Sequence, residues 1–456
     1  MSVDRRSFMK SVAAGSAACL VGCNTGDPEP TRPGDEGALC EPPVAPPPPD
    51  LDYPGASYFD QVSRDLDAAG IGTPVVFIDM DRVDANIDAI VRGISAPLSY
   101  RIVEKSLPSL DLLSYVSERS GSDKFMVLHL PFLAPLLDAL PNAQVLIGKS
   151  HLTSAVESFF GSQPAGTDLA AIASRVTFLA DNPTRLDELV ALAGRLGVTL
   201  KLAIELDVGL ARSGLNDPGL LAPMLRVFLS SSAVEFAGFL GYDGHIAHSP
   251  TGTGAGMDLA WSAATEVYQS YVDILNGPEF EALASLPDLI FNSGGSSSYP
   301  MYSTGTPVND VAAGGGVLRP GSYPNHVIAE LQPAIFIGTP VFRVYPEPRL
   351  PFFTAANSAG AFGGRKGVTI AGGGWPAYFT HPPGIQPAPL VSDPTDHSMV
   401  PNQGMVTAPA DTPINPGDWI YYHPRQSDAL FQFERIMLVR GGRLETETMA
   451  AYPRRY

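Results

Sequence analysis

From Gly70 onward, short apolar β-rich runs alternate with amphipathic stretches, and this alternation constrains the fold more than any other feature. Residues 74–79 (PVVFID), 100–104, 125–130, 144–147, 176–179, 200–206, 237–241 and 289–293 have the length and β-branched content of buried strands. Most are followed by helical spacing; in 81–93 the apolar positions are Val83, Ile87, Ile90 and Val91. Strands apolar on both faces need cover on both faces, which parallel sheets obtain from crossover helices. Eight strand-then-helix units predict an α/β chain built on a TIM-type (β/α)8 barrel. A doubly wound open sheet has the same periodicity and remains the alternative. After about Pro340 the pattern changes to short β-like runs (368–371, 419–422, 433–439) between Gly and Pro turns, which predicts a β-rich C-terminal domain.

The first 60 residues have a different character. Asp4-Arg5-Arg6-Ser7-Phe8-Met9-Lys10 precedes a weakly apolar run, 11–22, that is too short to span a bilayer. The paired arginines resemble a twin-arginine (Tat) export signal, and Leu20-Val21-Gly22-Cys23 resembles a bacterial lipobox with Cys23 as the lipidated residue. The competing reading is an ordinary N-terminal helix. Nine of the 44 prolines fall within the first 50 residues, so the segment after Cys23 reads as an extended tether. The expected order is a signal (1–23), a Pro-rich linker (24–60), a barrel (61–340) and a β domain (341–456). It implies an exported lipoprotein on the periplasmic or cell-surface side, touching the membrane through its anchor only. All three cysteines (Cys19, Cys23, Cys40) lie before Leu51, so the folded part has no thiolate for metal binding or catalysis. A formal charge of −18 argues against a nucleic-acid partner.

In a barrel, chemistry sits just after the strands' C-terminal ends. Arg101-Ile102-Val103-Glu104-Lys105-Ser106 places a lysine there, in a chain with only six lysines. A partly desolvated amine at this position suits a Schiff base; the plainer reading is a surface lysine. Glu205 to Gly214 supplies two acids and Arg212, a forked donor for an oxyanion, or else a turn with a solvated ion pair. Gly241-Tyr242-Asp243-Gly244-His245 offers a ring and an imidazole, Tyr242 and His245, for stacking or proton transfer. Asn292-Ser293-Gly294-Gly295-Ser296-Ser297-Ser298 is a Gly/Ser loop of the kind that cradles phosphate, though most such loops are only loops. A lysine and a phosphate cradle across one barrel mouth suit pyridoxal phosphate.

These stretches, with Thr73-Pro74, Asp79-Met80-Asp81 and Asn86, resemble the pyridoxal-phosphate enzymes with the alanine-racemase-type (fold type III) barrel. The branch is that of D-threonine aldolase and D-serine dehydratase, nearest bacterial amino-acid deaminase/aldolase proteins. Glu330-Leu331, Gly338-Thr339-Pro340, Gly372-Gly373-Gly374 and Phe433-Glu434-Arg435 belong to the same resemblance. It implies that Lys105 holds the cofactor and that Arg212 faces its phenolic oxygen. Tyr242 and His245 flank the ring, and Ser293, Gly294, Gly295 and Ser296 receive the phosphate with help from Gly338. Members of that branch bind a divalent metal through a His-x-Cys or His-x-Asp pair. Here His423-Pro424-Arg425 puts arginine where a ligand belongs, so no catalytic metal is expected, with His397 and His423 as weak candidates. The expected activity is a lyase, an aldolase or a dehydratase/deaminase, acting on a D- or β-hydroxy amino acid, with Lys105 or His245 moving the proton. An amino-acid racemase and a cofactor-binding protein without turnover are the alternatives. Relatives imply a possible homodimer.

Overall fold

A computed structural model describes residues 51–94, 96–248, 254–302, 305–323, 328–349, 360–388 and 402–452. The expected export signal with Cys23, most of the expected linker, and His397 lie outside them.

Helix α1 (Ala56–Ala68) leads into strand β1 (Val75–Asp79) and helix α2 (Met80–Gly93). A closed eight-stranded parallel barrel follows: β2 (Ser99–Val103), β3 (Lys124–Val127), β4 (Gln144–Ile147), β5 (Val176–Ala180), β6 (Leu200–Glu205), β7 (Val234–Gly241), β8 (Ile290–Ser293) and β9 (Asp310–Ala313). The crossovers carry helices, among them α3 (Leu110–Ser120), α4 (Leu133–Ala139), α5 (Thr153–Gly161), α6 (Leu169–Arg175), α7 (Pro183–Leu196), α8 (Leu221–Ser230) and α9 (Gly254–Leu275). A separate nine-stranded sheet takes β1 together with β10 (Ile335–Tyr345), β11 (Lys366–Ala371), β12 (Ala377–His381), β13 (Gln386–Pro387), β14 (Gln403–Ala408), β15 (Trp419–Pro424), β16 (Arg435–Arg440) and β17 (Arg443–Ala450). Barrel plus β-rich sheet is the fold class expected from the sequence.

The strand count is reached differently. Residues 75–79, expected to open the barrel, pair antiparallel with β10 (Val75↔Gly338) and parallel with β16 (Val76↔Ile436) in the second sheet. The barrel is closed instead by β9, through Ser99↔Asp310 and Ile102↔Ala313. The reason is physical. All five residues of β1 are buried, as in a barrel strand. On one face Val75 and Phe77 pack with Phe59, Val62 and Leu66 of α1; on the other Val76 and Ile78 join the main core. Burial on both faces fixes the apolar run and leaves the pairing partner unspecified.

Inside the barrel, Val103, Met126, Leu146, Leu179, Ala203, Leu240 and Ala312 form one apolar layer drawn from seven strands. One pleat repeat below lies Arg101, fully buried. Its Nε and Nη2 donate to Asp310 at 2.6 and 2.9 Å, and its Nη1 donates to the carbonyls of Phe125 and Gln144 at 3.0 and 3.1 Å. Asn292 Nδ2 donates to the same carboxylate at 2.6 Å. This network ties β2, β3, β4, β8 and β9 together, and a buried ion pair is tolerated because its donors and acceptors are met. Local signals agree with the topology. Asp79 caps α2 by accepting from the backbone N–H groups of Asp81 and Arg82, both at 3.1 Å. Asn86 then staples α2 to the segment after β9, donating to Val317 and Gln332 carbonyls at 3.0 and 2.8 Å.

Candidate active site at the barrel mouth

Strand β2 ends in a single 3-10 turn, Glu104–Ser106, which carries Lys105 to the rim. The Lys105 side chain is exposed to the mouth. Desolvation by the surrounding atoms lowers its ammonium pKa, and the Arg212 and Lys149 charges lower it further; Asp428 opposes them. Behind it Glu104 is fully buried, and neither carboxyl oxygen makes a well-formed hydrogen bond. Burial pushes its pKa from 4.5 to about 8, with the Leu128 backbone only partly offsetting this. Burial thus favours the uncharged carboxyl and weakens the hold of Glu104 on the Lys105 proton; Glu104 raises the Lys105 pKa less than desolvation, Arg212 and Lys149 lower it.

Across the mouth the loops after β8 and β9 lie side by side. Ser296 Oγ accepts from the backbone N–H groups of Gly314 and Gly316 at 3.2 and 2.8 Å, leaving its own O–H as a donor. A Cβ on Gly315 would overlap the Tyr323 hydroxyl, and one on Gly295 would stand 3.3 Å from the Tyr242 ring. Gly294 holds φ at +88°, a left-handed value that suits glycine. With the Gly314 and Gly316 N–H groups taken up by Ser296, the loop N–H groups that remain and the Ser296 and Tyr323 hydroxyls make a donor set suited to a phosphate dianion. Ser293 has another duty: its Oγ donates to the Gly241 carbonyl at 2.5 Å and lies 2.7 Å from the Tyr302 hydroxyl. Tyr302 and Ser298 in turn donate to buried Asp243 at 2.8 and 2.9 Å. Burial raises the Asp243 pKa to about 6. Ser293 thus ties the cradle to β7.

Between lysine and cradle, the Arg212 guanidinium lies 5.0 Å from the Tyr242 ring centroid, a cation–π contact. Its loop is shaped from below. Asp207 accepts from the N–H groups of Gly209 and Ala211, each at 3.0 Å, and Ala211 takes φ +55°. At Gly209 (φ +121°) a Cβ would stand 3.1 Å from His245 Nε2, so glycine lets the loop close on that imidazole. Burial lowers the His245 pKa, with Asp207 opposing, so the ring is neutral near pH 7. Glu205 accepts from Ser213 Oγ at 2.5 Å and from Ser150 N at 3.2 Å, linking this loop to the one after β4.

Residues 78–269 match the family described as alanine racemase, N-terminal domain. The fold is of the alanine-racemase type. Similar solved structures include D-threonine aldolase from Filomicrobium marinum, with a TM-score of 0.62 at 16% identity over 84% of this chain and 97% of that one. D-threo-3-hydroxyaspartate dehydratase from Delftia sp. HT23 gives 0.63 at 15% identity over 84% and 98%. Alanine racemase from Bacillus anthracis gives 0.59 at 14% identity over 83% and 98%. No curated protein matches the chain.

Lys105, Arg212, Tyr242, His245, Gly294, Gly295 and Ser296 are thus brought to one mouth of this alanine-racemase-type barrel. Gly338 is not. It sits in the middle of β10 between Val75 and Tyr421, where a Cβ would stand 3.0 Å from the Tyr421 ring; it is needed for close packing in the second sheet. His423, a weak metal candidate, is also misplaced. Its Nε2 lies 2.9 Å from the Arg319 carbonyl and must be the N–H donor, so Nδ1 accepts from the Tyr53 hydroxyl at 2.9 Å. Both nitrogens are used, and burial pushes the pKa down to about 3. Among the described residues no group of three or more His, Cys, Asp or Glu is arranged to hold a metal.

Several mouth residues escaped the sequence reading. His129 follows β3, Lys149 and His151 follow β4, and Gly314–Gly316 follow β9. Asp428, in a 3-10 turn of the C-terminal domain (Ser427–Gln432), comes close enough for its charge to act on Lys105. Reading the residues after β4 would have found Lys149 and His151; His129 lies inside the run that reads as a strand (125–130), β9 does not read as a strand, and the triple glycine is itself a cradle signal.

Proposed function

We propose that this chain is a pyridoxal-phosphate-dependent lyase acting on a D-configured or β-hydroxy amino acid, with Lys105 as the residue covalently linked to the cofactor. The carrying observation is the placement of Lys105, its pKa lowered by desolvation, across one mouth from the two glycine loops after β8 and β9, which Ser296 draws together. Bound there, the cofactor supplies an electron sink for charge left at the substrate Cα. The chain's own residues do the rest. Ser296, Tyr323 and the loop N–H groups after β8 and β9 hold phosphate. Arg212, fixed by its loop and by Tyr242, presents a forked donor to an oxyanion. Neutral His245 accepts or returns a proton at Nε2, and the Lys105 amine is the second group able to do so.

The aldolase and dehydratase among the similar folds support the lyase reading; the match to the alanine racemase N-terminal domain supports racemisation as the second reading. A panel of D- and L-amino acids, with and without divalent metal, separates them. Glycine plus aldehyde from D-threonine, or ammonia plus keto acid from D-serine, supports the lyase. Interconversion of enantiomers without fragments favours the racemase, and a loaded protein inert to the whole panel overturns both. The proposal includes export and a lipid anchor at Cys23, supported by the Arg5-Arg6 pair and the Leu20–Cys23 motif alone, and a homodimer, supported by the resemblance alone.

A further inference from the structure

Asp243 lies in the turn after β7 that also carries Tyr242 and His245, with 1% of its surface exposed. Both of its oxygens reach the loop that carries Ser296. Oδ1 lies 2.9 Å from Ser298 Oγ, and Oδ2 lies 2.8 Å from the Tyr302 hydroxyl. The Tyr302 hydroxyl lies 2.7 Å from Ser293 Oγ, which lies 2.5 Å from the Gly241 carbonyl. The loop is thus fastened to the end of β7 on either side of Ser296, at Ser293 before it and at Ser298 and Tyr302 after it.

These contacts cannot all form around a carboxylate. Oxygens this close need a hydrogen between each pair. Ser293, Tyr302 and Ser298 bring one hydrogen each. The Ser298 hydrogen goes to Asp243 and the Ser293 hydrogen to Gly241. The Tyr302 hydrogen then serves either Ser293 or an ionised Asp243, and the contact left over sets lone pair against lone pair. A protonated Asp243 supplies the missing hydrogen. Asp243 then donates to Tyr302, Tyr302 to Ser293 and Ser293 to Gly241, while Ser298 donates to Oδ1. The surroundings favour that form. Among the described residues no Lys, Arg or His comes within ion-pair distance of Asp243. The Arg212 cation lies against the Tyr242 ring, and the His245 imidazole turns to Gly209. Tyr268 of α9 spends its hydroxyl on the Phe239 and Asn292 carbonyls, each at 3.3 Å. Burial raises the Asp243 pKa in the same direction.

We propose that Asp243 is held as the neutral acid and is the positioning residue of the phosphate cradle, its O–H starting the hydrogen-bond chain that locks the loop after β8 against β7. The link to phosphate rests on the cofactor reading, while the protonation state rests on the hydrogen count. Ionisation removes a hydrogen from the chain, so the lock loosens as pH rises through the Asp243 titration.

The test compares the wild type with Asp243→Asn, Asp243→Ala and Tyr302→Phe. Asn keeps an N–H for Tyr302 and an oxygen for Ser298, and it does not ionise; Y302F breaks the same chain should D243A fail to fold. In mild acid the infrared carbonyl band of protonated carboxylic acids should be weaker in unloaded D243N than in the unloaded wild type, and an equal band would overturn the neutral acid. Inorganic phosphate and pyridoxal phosphate are then titrated across pH, with pyridoxal as the control that lacks phosphate. D243A and Y302F should weaken both phosphate ligands about tenfold or more and pyridoxal little. D243N should match the wild type in mild acid and bind more tightly than it as pH rises, since only the wild type ionises. Losses in D243N as large as in D243A would show that the charge is what serves the loop, and equal losses for pyridoxal would place the effect at the ring; either overturns the proposal. Phosphate binding that depends on Asp243 in a protein that takes up no pyridoxal phosphate would uphold the positioning role and sink the cofactor reading.

Discussion

Replacing Glu104 with Gln tests the electrostatics behind Lys105. Glu104 is fully buried without a well-formed hydrogen bond, and its carboxyl titrates near 8 in the folded protein against 4.5 when free. The sign follows from proton counting. Between those two values the folded chain binds a proton that the unfolded chain has released, so stability falls as pH rises through the window. At about 1.4 kcal/mol per tenfold change in proton affinity, the full window is worth about 5 kcal/mol. Gln has the shape of the neutral acid and does not titrate. Its extra N–H donors add a roughly constant offset, about 1–3 kcal/mol if left unmet. Urea unfolding of both proteins at intervals from pH 5 to 9 reads the difference. The wild type loses several kcal/mol relative to E104Q by pH 8, and the gap is constant above that. Parallel profiles would show that Glu104 is ionised in the folded protein, and a carboxylate beside Lys105 would then oppose the desolvation that lowers its pKa.

Other outcomes follow from the same structure. Arg101→Met removes the forked partner of the fully buried Asp310 carboxylate, leaving it Asn292 and, at 3.7 Å, Lys124, and should cost about 3 kcal/mol in urea unfolding; a loss below about 1 kcal/mol would mean the network is not what closes β2 on β9. Gly315→Ala drives a methyl into the Tyr323 hydroxyl and should weaken pyridoxal phosphate binding, followed by absorbance titration, about tenfold or more through the lost donor. In a bacterial host fed labelled palmitate, Cys23→Ala should abolish lipid labelling and release the protein from membranes, whereas continued labelling would remove the lipobox reading.

What the sequence disclosed depended on whether a signal was local. Strand-like runs are properties of a few consecutive residues, and most appear in the structure close to where the pattern places them. Pairing is not local. Val75–Asp79 reads as a barrel strand because burial on both faces looks the same whether the cover is a crossover helix or α1. The four-residue β9, between a Gly/Ser loop and three glycines, is too short to register by periodicity. The site divides the same way. Lys105, Arg212, Tyr242 and His245 were legible because each follows a recognisable strand end. Gly338 was misassigned because a glycine needed for packing against Tyr421 and one needed for an anion look identical in sequence. Asp428 was invisible as a mouth residue, since only the docking of the C-terminal domain brings it near Lys105.

The central claim is that Lys105 carries the cofactor. Protein loaded with pyridoxal phosphate should be yellow, and reduction with borohydride should fix the pyridoxyl group permanently to the chain. Peptide mass spectrometry of the reduced protein then identifies the modified residue. The account predicts a single modified peptide carrying the label on Lys105, and no label on the Lys105→Ala variant. A wild-type protein that stays colourless with the cofactor present, or a label found on Lys149 or another lysine with Lys105 unmodified, would contradict it.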